Sequence, residues 1–289
     1  MKLFSLVTPP APPRVGAQCL HQRVRQSGCE ACRTRCPAQA FRFTEGRMRL
    51  DEQRCVGCGI CLFVCPCDAI ENLSAPARAV RDGVLLGPFT LPVSVEELLM
   101  WHAQHQIRAV ALDPFRFPGW AATLAALNLQ LRKAGQTPWR LAAPSEAASQ
   151  RERRRWLRLA EENATLSVTA GSRERRRLWR ETSEYVIALN QEKCTLCGAC
   201  GRICSAGAMH FAESEVRLNA MDCTGCRGCE AVCPVGAVAI TRGEVNSIIQ
   251  LTVSETACPV CKQPRLSWPG KEGQPCPLCL RHHHGMREA

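Results

Sequence analysis

Two short stretches of the chain alternate apolar and polar residues in the same way. "AFRFTEGRMRL" (residues 40–50) does so on both sides of Glu45-Gly46, and "AMHFAESEVRL" (208–218) follows the same course. Period-two alternation about a turn predicts a β-hairpin at each place. Between them the pattern changes. "DGVLLG" (82–87), "RAVALD" (108–113) and "WRLAA" (139–143) read as strands. Ser94 with Glu97 has the spacing of a capping box and opens a helix through about residue 106. "GWAATLAALNLQLRKAG" (119–135) reads as a second helix that stops at Gly135. Strand, helix, strand, helix, strand predicts a small parallel α/β layer. Two near-copies, "RERRRWLR" (151–158) and "RERRRLWR" (173–180), fall in an arginine-rich stretch read as a basic helical linker. Its arginines are expected on a solvated face, paired with glutamates one turn away.

The two hairpin patterns lie 168 residues apart, and the same shift carries one set of cysteines onto another. Cys29 falls on Cys197, Cys32 on Cys200, Cys36 on Cys204, Cys55 on Cys223, Cys58 on Cys226, Cys61 on Cys229 and Cys65 on Cys233. One unit is therefore written twice. Its cysteines are spaced C-x2-C-x2-C-x3-C. Complete runs stand at Cys194, Cys197, Cys200 and Cys204, at Cys223, Cys226, Cys229 and Cys233, and at Cys55, Cys58, Cys61 and Cys65. Three thiolates three residues apart on a tight loop can wrap one metal centre. Small neighbours such as Gly57, Gly59, Gly198, Gly225 and Gly228 let backbone N–H groups approach the sulfurs.

The chain resembles a tandem of two bacterial-type two-cluster ferredoxins, a polyferredoxin, over roughly 120 of its 289 residues. In that family the fourth cysteine of each run ligates the other cluster. The resemblance thus implies four [4Fe–4S] clusters. Cys194, Cys197, Cys200 and Cys233 would hold one, and Cys223, Cys226, Cys229 and Cys204 another. Cys55, Cys58, Cys61 and Cys36 would hold the third. The last has Cys29, Cys32 and Cys65 but Gln26 where the repeat has Cys194. Cys19 is taken as its displaced ligand, with Cys67 and a three-cysteine site as alternatives. Cys67 otherwise reads as a small buried apolar residue.

Near the C-terminus, "CPVC" (258–261) and "CPLC" (276–279) have the spacing of a zinc ribbon, which makes Cys258, Cys261, Cys276 and Cys279 ligands of one zinc. Rubredoxin-like iron is the alternative. The "HHH" run (282–284) is given no role. The expected class is α+β: two ferredoxin-like two-cluster modules flanking a small α/β segment, plus the ribbon. The expected domains are an extension (1–18), the first module (19–76), the α/β domain (77–149), the basic linker (150–183), the second module (184–245) and the ribbon (254–285).

Charge alters once the metals are included. The formal +11 treats all 21 cysteines as neutral thiols. Four oxidised cubes add about −8 and a tetrathiolate zinc about −2, so the loaded protein sits near neutrality. Basicity is therefore no argument for nucleic acid, which is not expected as a partner. No apolar run approaches the ~18 residues of a membrane span, and so many thiolates suit a reducing, cytoplasmic setting. No nucleotide-binding glycine loop follows any strand, and His102 and His105 read as a surface pair.

The function expected is single-electron relay between protein partners, with no catalytic site of the chain's own. Polyferredoxins of this kind serve oxidoreductase complexes such as hydrogenases or molybdenum enzymes like formate dehydrogenase. An assembly factor for a complex metalloenzyme and a redox-sensing nucleic-acid-binding protein remain the alternatives.

Overall fold

A computed structural model describes residues 11–143, 164–245 and 247–283. The chain forms two compact units. One comprises residues 1–23 and 30–178, the other residues 24–29 and 179–289.

In the first unit, β1 (Arg14–Val15) pairs antiparallel with β4 (Ile70–Glu71), and helix α1 spans Leu20–Arg23. Two five-residue helices, α2 (Ala31–Arg35) and α3 (Ile60–Val64), flank the hairpin of β2 (Phe41–Thr44) and β3 (Arg47–Leu50). The hairpin turns at Glu45 and Gly46, both left-handed at φ 52° and 74°. That is the turn whose twist matches two antiparallel strands. Phe41 and Met48 enter the core, whereas Phe43, on the same face and opposite Met48, stays exposed.

The central segment is a five-stranded sheet. Strands β6 (Val84–Gly87), β7 (Ala109–Ala111) and β8 (Arg140–Ala142) run parallel, joined by helices α4 (Val95–Gln104) and α5 (Pro118–Lys133) as expected. The sheet is nevertheless mixed rather than parallel. β5 (Arg78–Arg81) and β9 (Ala164–Leu166) extend it by two antiparallel pairings, which gives the order β8-β7-β6-β5-β9. The β5–β6 turn is Asp82-Gly83, again left-handed at φ 49° and 73°. An Asp-Gly dipeptide between apolar runs is a hairpin signal, and it marks β5. β9 has no comparable signal.

The capping box closes on one side only. Ser94 Oγ accepts from the Glu97 N–H at 3.2 Å, capping α4. The Glu97 carboxylate does not reach back. It turns inward to the Arg78 guanidinium at 2.7 Å, and both side chains are fully buried. His102 also differs from expectation. It is 3% exposed, and its Nδ1 accepts from Trp139 Nε1–H at 2.9 Å. His105 is half-buried, with Nε2 2.9 Å from the Ser167 carbonyl. Burial first, then the Arg108 charge, pulls the His102 pKa down to about 4. Between that value and the ordinary 6.5 the unfolded chain binds the extra proton, so stability rises with pH across this window. Acidifying from pH 7 to 4 should cost the first unit about 3 kcal/mol from this residue. Thermal melts of wild type and His102→Gln check this. The variant, which cannot protonate, should lack that part of the acid dependence.

Of the two arginine-rich copies, residues 151–158 lie outside the described residues. The other forms α6 (Ser172–Leu178). It is a solvated face only in part: Arg173 and Arg177 are exposed, Arg177 pairing with Glu174 at 3.1 Å, but Arg175 and Arg176 are 5% and 3% exposed. Asp68 caps it across 104 residues, accepting from the Ser172 N–H at 2.6 Å. Ser172 Oγ donates to the Cys65 carbonyl at 2.8 Å, and Arg175 Nη1 donates to the Phe63 carbonyl at 2.9 Å. The carbonyls left open at the end of α3 thus receive their donors from α6. The stretch read as a linker is, where described, an edge strand and a helix packed against α3 and α4.

The second unit repeats the plan. β10 (Tyr185–Leu189) pairs with β13 (Val238–Arg242). β11 (Met209–Phe211) and β12 (Glu215–Asn219) form the expected hairpin, with Met209 opposite Leu218. That is the register of Phe41 opposite Leu50 in β2–β3. Helices α7 (Ala199–Ile203) and α8 (Gly228–Val232) match α2 and α3. A further strand, β14 (Ile248–Thr252), covers the open edge of β12, and β15 (Ser254–Ala257) pairs with β16 (Pro264–Ser267). Helix α9 (Pro277–His283) follows; the side chains of "HHH" lie outside the described residues.

Candidate metal centres

Each complete cysteine run has the same backbone. The residues just before and just after its second cysteine are left-handed: Gly57 and Gly59, Leu196 and Gly198, Gly225 and Arg227, with φ between 57° and 74°. Successive N–H groups in such a path turn toward a common point and make a concavity for negative charge. A short helix begins at once, carrying the third cysteine (Cys61, Cys200, Cys229) in its first turn. It stops at the fourth. Cys36, Cys65, Cys204 and Cys233 all leave their helices with extended backbone, φ −68° to −79° and ψ 94° to 114°. The N–H four residues on then donates to the sulfur of Cys36, Cys65 and Cys233 at 3.2–3.4 Å. Such bonds stabilise thiolate and tune a bound cluster.

The sulfurs gather in groups that cross between runs. Burial raises the Cys61 thiol to about 12, with the charges of Cys58, Cys55 and Cys36 adding to it. Cys58 is raised in the same way by burial, Cys36 and Cys55. In the second unit burial raises Cys200 to about 11, helped by Cys194 and Cys197, and raises Cys194, with Cys197 and Cys233 contributing. Cys229 is raised by burial, then by Cys226, Cys223 and Cys204. Cys194, Cys197, Cys200 and Cys233 also line one small pocket. Thiolates crowded into a low-dielectric spot repel one another. A cationic iron–sulfur core removes that penalty, so the donor sets fit the group.

The incomplete run departs from this geometry. Gly28 is not left-handed, and Glu30 sits at φ −121°. Cys19 is buried and precedes α1, and Cys67 is 2% exposed. Cys19, Cys32 and Cys65 belong to the first unit and Cys29 to the second.

At the C-terminal end of the described chain, the sulfurs of Cys258, Cys261, Cys276 and Cys279 all lie within 4.8 Å of one another. A tetrahedron of ~2.3 Å metal–sulfur bonds places its sulfurs ~3.8 Å apart, so little contraction would close the site. N–H groups, that of Cys261 foremost, pull Cys258 down to about 6. Hydrogen bonding, to Cys276 first, pushes Cys279 up to about 12.

Comparison with known proteins agrees with this chemistry. A model of the 4Fe-4S dicluster domain matches residues 179–237, and one of the LdpA Fe-S cluster-binding domain matches residues 26–76. A component of the ion-translocating oxidoreductase complex of Methanosarcina acetivorans is 46% identical over 44 residues, 15% of this chain and 17% of that protein. An iron-sulfur protein of Rhodospirillum rubrum is 36% identical over 56 residues, 19% of this chain and 30% of its own. The putative electron transport protein YsaA of Escherichia coli is 33% identical over 67 residues, 22% of this chain and 43% of its own. Each match spans less than half of the relative. The chain carries iron–sulfur cluster-binding domains for [4Fe–4S] clusters. Its relatives are iron–sulfur electron-transfer proteins and components of oxidoreductase complexes. Among the described residues no helix is long and apolar enough to cross a membrane.

Sequence reasoning missed the residues that support these sites from a distance. Ser172 and Arg175 meet Cys65 and Phe63, and Asp68 meets Ser172, each across more than 100 residues. Trp268, in a Pro/Gly-rich loop, joins the core of the second unit.

Proposed function

We propose that the chain is an electron carrier that relays single electrons through four [4Fe–4S] clusters between protein redox partners, as a component or partner of an oxidoreductase complex. The observation that carries this is the left-handed, N–H-lined loop repeated at three cysteine runs, each delivering its fourth sulfur from a helix end. Bound clusters would supply one-electron chemistry. The chain's own residues hold them, exclude water and aim N–H groups at their sulfurs. The ligand sets proposed are those of the crossed runs, with Cys19 completing Cys29, Cys32 and Cys65. A zinc at Cys258, Cys261, Cys276 and Cys279 would stabilise the tail, and the setting is a reducing, cytoplasmic one.

The first module offers a docking face for an acidic partner. Arg42, Arg47, Arg49 and Arg54 are exposed beside the exposed apolar Phe43 and Val56, the latter next to Cys55. Charge reversal at Arg47 and Arg49 should slow electron delivery to such a partner about tenfold at low salt and much less at high salt. As a relay, the protein must be present throughout turnover. Partner activity that persisted after transient exposure and removal would mark an assembly factor instead.

The displaced ligand has its own test. Cys19→Ser should convert one cube to a three-iron form or lose it, with the other three spectra unchanged. Cys67→Ser should leave all four. Essential Cys67 with dispensable Cys19 would overturn the assignment, and Gln26→Cys in the Cys19→Ser background should restore the cube.

A further inference from the structure

The C-terminal ribbon is joined to the second module by its loop. Trp268, just beyond β16, is 5% exposed and lies in the core formed by Ile187, Cys200, Met209, Val216 and Leu218. Its indole Nε1–H donates to the carbonyl oxygen of Cys194 at 2.9 Å. Lys271 donates its backbone N–H to the Trp268 carbonyl at 3.0 Å and its Nζ to the Glu192 carbonyl at 3.4 Å, two residues before Cys194. Arg265 fixes the rest of the loop, donating to the carbonyls of Lys271, Glu272 and Gln274 at 3.1, 3.3 and 2.6 Å. Cys261 and Cys276 frame this loop, so a metal there would clamp both its ends. A ribbon that only recruited a partner would have no need to bury its largest side chain in its neighbour.

We propose that this loop is a positioning device for the cluster of Cys194, Cys197, Cys200 and Cys233, and that Trp268 and Lys271 set its potential. The proposal rests on the cluster reading above. Trp268 fixes the peptide that carries the first ligand. Lys271 holds a positive charge at the Glu192 carbonyl, two residues before that ligand in the chain. Fixed positive charge near a cluster stabilises its reduced, more negative form and raises its potential. Because the same loop is tied to the ribbon cysteines, the tail's own metal site and this one cluster are linked.

The experiment is an EPR-monitored redox titration of the full-length, anaerobically loaded protein, with iron assayed in parallel. Lys271→Met removes the charge, Trp268→Phe keeps an aromatic ring and removes the N–H, and Cys197→Ser identifies the cluster. Both of the first two variants should keep wild-type iron and lower one midpoint, enough to reduce that cluster's reduced fraction several-fold at fixed potential. The signal that moves should be the one altered in Cys197→Ser. Wild-type midpoints throughout in Lys271→Met at full iron would overturn the proposal, whether or not Trp268→Phe folds. So would movement of a different signal. If Cys197→Ser itself kept full iron and every wild-type signal, the cluster reading of this quartet would fall, and the proposal with it.

Discussion

Glu97→Ala should destabilise the first unit by about 3–5 kcal/mol, because it strands a buried cation. Arg78 and Glu97 are both fully buried, 2.7 Å apart. Burial pushes the Glu97 carboxyl up, and the hydrogen bond and charge of Arg78 oppose that. Trp101 Nε1–H also donates to Glu97 Oε1 at 3.3 Å. Arg78 in turn donates to the Pro88 carbonyl at 2.9 Å and lies 4.6 Å from the centre of the Trp120 ring. Removing the carboxylate leaves those neutral contacts to hold a guanidinium without its counter-charge. Removing both charges is a different matter. Arg78→Met with Glu97→Leu fills a similar volume and abolishes the desolvation cost of both ions, so the double variant should be markedly more stable than Glu97→Ala alone. Chemical denaturation of the three proteins checks this, and a double variant no better than the single would contradict it.

Gly225→Ala should cost about 2–4 kcal/mol and weaken or abolish cluster loading at Cys223, Cys226, Cys229 and Cys204. The matched Gly57→Ala should cost only about 1 kcal/mol. The two glycines share the left-handed conformation, φ 70° and 68°, and occupy equivalent places in their repeats. They differ in what stands above them. A Cβ on Gly225 would collide with the ring of Tyr185, whereas one on Gly57 meets nothing within 4 Å. The steric term, typically 1–3 kcal/mol for overpacking, therefore falls on one repeat alone. Stability and iron content of the two variants, measured side by side, separate backbone strain from collision. Equal losses would mean that the ring gives way.

The cysteine runs and hairpins were readable because their signals are local. A three-residue spacing, a Glu-Gly turn between alternating strands and a serine three residues before Glu97 are each complete within a few positions. Local reading went wrong where a residue had two possible partners. Glu97 has the place of a capping glutamate, but a buried arginine 19 residues earlier claims its carboxylate. His102 has the spacing of a surface histidine, but Trp139, 37 residues later, covers it. The arginines of α6 have the composition of a solvated helix, and only the carbonyls at the end of α3 give Arg175 a reason to be buried. Trp268 was the least readable of all, since its bond to Cys194 spans 74 residues and leaves no pattern in either segment. Long-range pairings of single side chains have no period, and the supports of the metal centres are of that kind.

In the function proposed, the duplicated cysteine unit holds four cubes and the tail one zinc. Metal analysis of anaerobically purified, fully reconstituted protein tests it most directly. Four cubes and one ribbon site require about 16 iron and about one zinc per chain. A reproducible value near 8 iron would contradict it.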